Sequence, residues 1–244
     1  MKKKIALVTG SSRGIGRAIA IRLAKDGYFV LIHCAGNVTK AEETKKIIEK
    51  QGGTAKVLQA NLCDINETKM LAEEMGNVDV LVLNASLQYR NPWQQIPLEE
   101  CYEQLNCNFV SSFLLIQAAV AHMREEGWGR IVTIGSVQEK KPHPDMLIYS
   151  ASKAAQTNMV QSLSLQLAKT GITVNNVAPG VIDTDRNAQA LSDPDYARKV
   201  AESIPAGFYG KPEDCAGIVS LLCSEEGRYI TGQSIYVDGG KSVQ

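Results

Sequence analysis

This sequence carries no excess of charge, no cysteine framework, no metal-ligand spacing and no apolar run of membrane length. Its 26 basic and 26 acidic residues cancel, so the charge balance gives no sign of nucleic acid or an anionic membrane as partner. The six cysteines (34, 63, 101, 107, 215 and 223) form no C-x-x-C pair. They read as reduced, mostly buried thiols of a cytoplasmic protein. His33, His122 and His143 are scattered, so no metal site is expected. The longest apolar stretch, Phe109 to Ala121, contains two serines and a glutamine and is too short to span a bilayer. Lys2-Lys3-Lys4 has the charge of a signal-peptide start, but the apolar run behind it, Ile5 to Val8, is far too short for one. No repeat, linker or low-complexity segment divides the 244 residues, which suits one large α/β domain over 1–244.

What is present alternates. Short apolar runs at Lys4–Thr9, Tyr28–Cys34, Ala55–Gln59, Val80–Leu83, Arg130–Ile134, Thr173–Ala178 and Gln233–Val237 read as strands. Between them lie helical patterns after Gly16 and over Thr39–Gln51, Glu67–Met75, Leu98–Arg124, Ala151–Lys169 and Lys211–Cys223. The first helix has apolar positions at Ile15, Ala18, Ile19, Leu23 and the stem of Arg22. Residues 181–210 read as irregular and polar, with Asp183, Asp185, Arg186 and Asp193. The pattern predicts a Rossmann-like, doubly wound parallel sheet of about seven strands with helices on both faces. In such a sheet a ligand lies at the carboxyl ends of the strands, near the switch in strand order.

Every stretch with chemical character follows a strand. After the first comes Thr9-Gly10-Ser11-Ser12-Arg13-Gly14-Ile15-Gly16, a glycine turn opening a helix. That arrangement aims backbone N–H groups and a positive helix end at phosphate. A glycine-rich turn alone is a weak signal; the strand on either side gives it weight. From Tyr28 through Ala41 there is no carboxylate to bind ribose hydroxyls, and Arg13 is placed to face a 2′-phosphate. This favours NADP(H), with NAD(H) the alternative. The plain reading of Arg13 is a solvated loop charge.

Ser136 ends the fifth strand, and Tyr149 and Lys153 open the following helix four residues apart, on one face. A free phenol titrates near ~10; a fixed ammonium beside it favours the phenolate and brings it toward neutral pH, where general acid–base work is efficient. No histidine is placed by sequence to activate the serine as a nucleophile. The plain alternative is an exposed tyrosine–lysine pair contributing a few tenths of a kcal/mol, roughly.

Together Thr9-Gly10-x-x-x-Gly14-x-Gly16, Asn84-Ala85, Ser136, Tyr149-x-x-x-Lys153 and Pro179-Gly180 resemble the short-chain dehydrogenase/reductases. The similarity runs on through Pro212-Glu213-Asp214 and Thr231-Gly232-Gln233, and is greatest to bacterial 3-oxoacyl-[acyl-carrier-protein] reductases. The resemblance implies a nicotinamide cofactor, with Tyr149 as general acid/base, Ser136 polarising the substrate carbonyl, and Lys153 holding ribose and lowering the tyrosine pKa. It implies that Asn108 sits in a helix distortion that holds a water for proton relay. The implied cofactor contacts are Gly10, Ser12, Arg13, Gly14, Ile15 and Gly16 in the turn, Asn61 and Leu62 at the adenine, Asn84 near the ribose, Pro179 and Gly180, and Ile182 at the carboxamide. Plain readings stand beside these: Asn61 as a turn residue, Asn108 as a helix-surface amide.

The chain departs from the family pattern at Ser86, where glycine is common after Asn84-Ala85, and at Phe208, where those reductases tend to have arginine. The segment Gln138 to Pro144 is polar and holds two prolines where small residues are usual. The expectation is an NADP-dependent oxidoreductase moving hydride between nicotinamide and a carbonyl or secondary alcohol, of 3-oxoacyl-thioester reductase type. The alternatives are a sugar or polyol dehydrogenase of the same family, and a non-catalytic NADP-binding redox sensor. Expected partners are a small-molecule or acyl-carrier substrate, bound partly by residues 181–210, and further copies of this chain. The family generally pairs the two long helices across a two-fold axis, giving tetramers, with a dimer the alternative.

Overall fold

The computed structural model describes residues 3–185, 187–188 and 192–244; Met1, Lys2, Arg186 and residues 189–191 lie outside them. Seven strands form one sheet: β1 Ile5–Val8, β2 Phe29–Cys34, β3 Thr54–Gln59, β4 Val80–Leu83, β5 Gly129–Ile134, β6 Ile172–Pro179 and β7 Ser234–Val237. Their order is β3-β2-β1-β4-β5-β6-β7, and every pairing is parallel.

The strands are apolar because both faces are covered. Leu7, Leu31, Leu81, Ile131 and Val174 point to one face, where they meet Leu71, Leu115, Ile116 and Val160. Ala6, Val8, Val30, Ile32, Val80, Val82 and Val132 point to the other, against Ile19, Leu23, Ile48 and Val219. The first face is covered by α3 (Ile65–Glu74), α5 (Ser111–Glu125) and α6 (Leu147–Leu167), with α4 (Leu98–Leu105) packed against α6. The second is covered by α1 (Gly14–Lys25), α2 (Val38–Lys50) and α8 (Pro212–Cys223).

Three elements differ from the sequence reading. The α1 stripe that packs inward is Gly16, Ile19, Ala20, Leu23 and Ala24; Arg22 instead pairs with Asp26 at 3.0 Å on the surface. The helix expected over Leu98–Arg124 is interrupted by one π-helical turn, Asn106–Val110, between α4 and α5. Residues 181–210 contain a helix, α7 (Pro194–Glu202), with Asp193 accepting from the Asp195 and Tyr196 N–H groups and Pro194 at its first turn. By length and composition the run Leu98–Glu125 would suffice to cross a membrane. Here it lies along the sheet and buries Leu115, Ile116, Ala119 and Met123 in the core.

The chain leaves β1 toward β2 and β3, then returns to place β4 on the other side of β1. The switch in strand order therefore falls between β1 and β4. Their carboxyl ends carry Gly10 and Asn84.

Candidate active site

At that switch point the glycine turn is held from three sides. The Thr9 hydroxyl accepts from the N–H groups of Asn84 (2.9 Å) and Ala85 (3.0 Å), and Asn84 Nδ2 donates back to the carbonyls of Thr9 (2.9 Å) and Gly10 (3.1 Å). Gly10 and Gly14 adopt φ of +64° and +56°, which a side chain would strain. A Cβ at Gly16 would collide with the Gly10 carbonyl and the Asn84 amide. Helix α1 begins with no side-chain cap at Arg13 and no acidic residue in its first turn, so its N-terminal N–H groups have no anionic side chain of their own. Ser12 is buried, Ile15 half-buried against the core, and Arg13 exposed.

Two supports of this turn were not foreseen from sequence. Gly10 N–H donates to His33 Nδ1 (3.0 Å), and His33 Nε2 bonds the Ala60 carbonyl at 2.9 Å. The first contact makes Nδ1 the acceptor, so the proton resides on Nε2. Burial lowers the imidazole pKa to about 4. Arg17 reaches back from α1, donating from Nε (3.0 Å) and Nη2 (2.7 Å) to the Ser12 carbonyl. A polar residue inside an otherwise apolar strand was the available sign for His33.

Arg13 meets Asp185 at 3.7 Å, and Lys40, in the first turn of α2, meets the same carboxylate at 2.8 Å. The hydrogen bond from Lys40, with the positive field of Arg13 and Arg17, holds Asp185 below the usual carboxylate range. All three side chains are between a third and two-thirds exposed, so these pairs contribute little to stability. They do show that two cations converge beside the glycine turn. Farther along the same edge, Asn61 is exposed, its Oδ1 accepting from Cys63 N–H at 3.1 Å, while Leu62 is buried in the core. Pro179 ends β6, Gly180 N–H donates to the Val237 carbonyl at 2.9 Å, and Ile182 is buried and bridges to Gly210.

The second half of the site lies at the end of β5. Tyr149 and Lys153 are 5% and 1% exposed, which rules out a solvated surface pair. Lys153 Nζ lies 5.8 Å from the Tyr149 ring centre and donates to the Ile134 carbonyl (2.8 Å), two residues before Ser136, and to Gln156 Oε1 (3.2 Å). Gln156 Nε2 donates to Ser112 Oγ (3.1 Å), which donates to the Asn108 carbonyl (3.3 Å). A chain of polar groups thus runs from the ammonium to the π-helical turn. Asn108 is fully buried: its side chain accepts from Leu87 N–H (2.7 Å) and donates to the Leu87 carbonyl (2.9 Å) and Ser152 Oγ (3.0 Å). This excludes the surface-amide reading. Ser136 Oγ accepts from Gln138 N–H at 3.2 Å, which leaves its own proton to donate.

An open depression of about 470 Å³ lies elsewhere, against Leu147, Ala151 and Ala154 and the Pro142–Pro144 loop. Helical spacing turns those α6 residues away from Tyr149 and Lys153, so it is not the cleft this pair faces. Among the described residues no group of histidine, cysteine and carboxylate side chains is arranged to hold a metal, and none of the six cysteines is in a disulfide.

The family model described as short chain dehydrogenase matches residues 4–195. The chain belongs to that family. It is an oxidoreductase acting between carbonyl and alcohol, in keeping with the buried tyrosine–lysine pair. The chain is 38% identical over 241 residues to a 3-oxoacyl-[acyl-carrier-protein] reductase of Staphylococcus aureus, covering 97% of each. Among solved structures, a 3-oxoacyl (acyl-carrier-protein) reductase from Agrobacterium tumefaciens with NADP bound superposes with a TM-score of 0.92 at 35% identity, over 97% of this chain and 93% of that one. A gluconate 5-dehydrogenase from Burkholderia cenocepacia, in complex with NADP and tartrate, gives 0.92 at 28% identity, over 100% and 97%.

Proposed function

We propose that the protein is an NADPH-dependent reductase of 3-oxoacyl thioesters, with Tyr149, Ser136, Lys153 and Asn108 as its catalytic set. The observation that carries this is the burial of the Tyr149–Lys153 pair, with Lys153 anchored to the end of β5 at Ile134, two residues before Ser136. A dinucleotide fits the chain's own features: a glycine turn in which a Cβ at Gly16 has no room, an uncapped helix start, and the cations Arg13 and Lys40 where a 2′-phosphate would lie. Gly10 to Gly16, Asn61, Leu62, Asn84, Pro179, Gly180 and Ile182 line the edge along which it would be held. Arg13 and Lys40 would exchange the Asp185 carboxylate for phosphate. Held there, a reduced nicotinamide would supply the hydride for the substrate carbon.

The chain's residues manage the proton. Ser136 donates a hydrogen bond to the carbonyl oxygen, and Tyr149 gives its phenolic proton to the same atom. The Lys153 ammonium stabilises the phenolate that remains. The Gln156–Ser112–Asn108 chain ties that ammonium to the π-helical turn, and the phenol recovers its proton from solvent. Residues 181–210, with α7, border the substrate, and the working protein is a cytoplasmic homotetramer.

A second reading, a sugar or polyol dehydrogenase, is favoured by the polar segment Gln138 to Pro144 and by the likeness to the gluconate dehydrogenase. The test is turnover of purified protein with NADPH and with NADH on acetoacetyl-coenzyme A, on keto-sugar acids and on simple ketones. The thioester with NADPH should give the highest kcat/KM. A preference for the keto-sugar acids would establish the second reading, and equal use of NADH would remove the 2′-phosphate assignment.

A further inference from the structure

We infer that Glu139 is a positioning residue for this reaction: its carboxylate fixes the turn that presents the Ser136 hydroxyl. The inference rests on the role proposed for Ser136. Glu139 closes the 3-10 turn Val137–Glu139 directly after Ser136, and its N–H donates to the Ser136 carbonyl at 3.0 Å. Its side chain does something the turn itself does not need. Oε1 accepts from Ser234 Oγ (2.5 Å), Tyr236 OH (3.1 Å) and Asn176 Nδ2 (3.2 Å), and Oε2 accepts from Thr157 Oγ1 (2.8 Å) and Asn176 Nδ2 (3.0 Å).

Those donors come from α6, β6 and β7, so one carboxylate ties the serine turn to three elements at once. One of them is the helix that carries Tyr149 and Lys153, and Thr157 lies one turn beyond Lys153. Among the described residues no cation pairs with Glu139; neutral donors alone hold it. Hydrogen bonds to an ionised acceptor are the stronger kind, and a carboxylate commits every donor it faces. Burial, and next to it the Glu139 charge, push the Tyr236 phenol up, which keeps it a donor. The carboxylate also presses against the chain just before Ser136, since a Cβ on Gly135 would lie 2.6 Å from Glu139 Oε2.

The serine hydroxyl itself is aimed through the same turn, by the Gln138 N–H that it accepts. Release of the carboxylate frees the turn to shift, and a shift of about 1 Å in a reacting group is enough to lose on the order of a hundredfold in rate. None of the donors to this carboxylate, Ser234, Tyr236, Asn176 and Thr157, is a residue assigned to the cofactor, so NADPH affinity should change little when it is lost.

The test is a double-mutant cycle of Glu139→Gln with Ser136→Ala, read by kcat on acetoacetyl-coenzyme A, by NADPH Kd from calorimetry, and by thermal melting. Glu139→Gln should lower kcat at least tenfold with NADPH Kd unchanged within twofold. In the Ser136→Ala background the same change should lower kcat less than twofold further. Should Glu139→Gln not fold, Tyr236→Phe deletes one donor and keeps the ring; it should lower kcat measurably in the wild type and not in Ser136→Ala. Multiplying losses, or unchanged kcat in the Glu139 and Tyr236 variants, would overturn the inference while leaving the role of Ser136 intact. Full turnover in Ser136→Ala alone would overturn both.

Discussion

His33 shows how a single side chain links stability to the cofactor edge. It is 1% exposed and must stay neutral, because protonation at Nδ1 would put a proton where it accepts the Gly10 N–H. Its folded pKa of about 4 lies below the ordinary 6.5, so between those values the unfolded chain binds a proton that the fold refuses. Stability therefore falls as pH drops from about 6.5 toward 4, by ~1.4 kcal/mol per pH unit at most and ~3 kcal/mol in total. His33→Gln retains an acceptor and has no such titration. Its melting temperature should fall less than the wild type's between pH 7 and 4.5, and NADPH affinity should lose part of its acid sensitivity. Parallel acid profiles for the two proteins would contradict this account of the imidazole.

At the scale of elements, the strands and the glycine turn were legible because parallel strands buried on both faces are nearly unbroken apolar runs. The seven strand ranges read from sequence match the structure to within a residue or two. The π-helical turn was not visible as a pattern, because Leu98 to Arg124 keeps a helical period through it; only the family resemblance at Asn108 pointed to a distortion. Helix α7 was hidden by its polarity, which hides a short exposed helix among loop residues. His33, Lys40 and Glu139 were missed for a common reason: each acts through contacts distant in sequence. The turn itself yields a direct prediction. Gly16→Ala places a methyl against backbone, which cannot rotate away, so NADPH Kd should rise at least tenfold and stability should fall by roughly 1–3 kcal/mol. Gly217→Ala, in α8 with nothing within 4 Å of its Cβ, should instead stabilise by ~0.5–1 kcal/mol. Calorimetry and melting of the pair separate the two cases, and an unaffected NADPH Kd in Gly16→Ala would show that the turn is not the dinucleotide cradle.

For the whole molecule, the face built by α4, α5 and α6 leaves Leu98, Tyr102, Phe113, Leu147 and Leu165 exposed, the last at 86%. Helices that cover one side of a sheet do not need that second apolar face; pairing with another copy would bury it, with symmetric closure usual. Sedimentation should find a tetramer at micromolar concentration, and Leu165→Glu should shift it to smaller species with little effect on the fold of the subunit. A monomeric wild type would contradict the assembly. If the buried phenol moves the proton, Tyr149→Phe removes that step alone, because the ring and its packing remain. Assayed with NADPH on a ketone that the wild type reduces, the variant should bind NADPH with unchanged Kd and lose ~10²–10⁴-fold in turnover, the contribution typical of a general acid. Wild-type turnover by Tyr149→Phe would contradict the account.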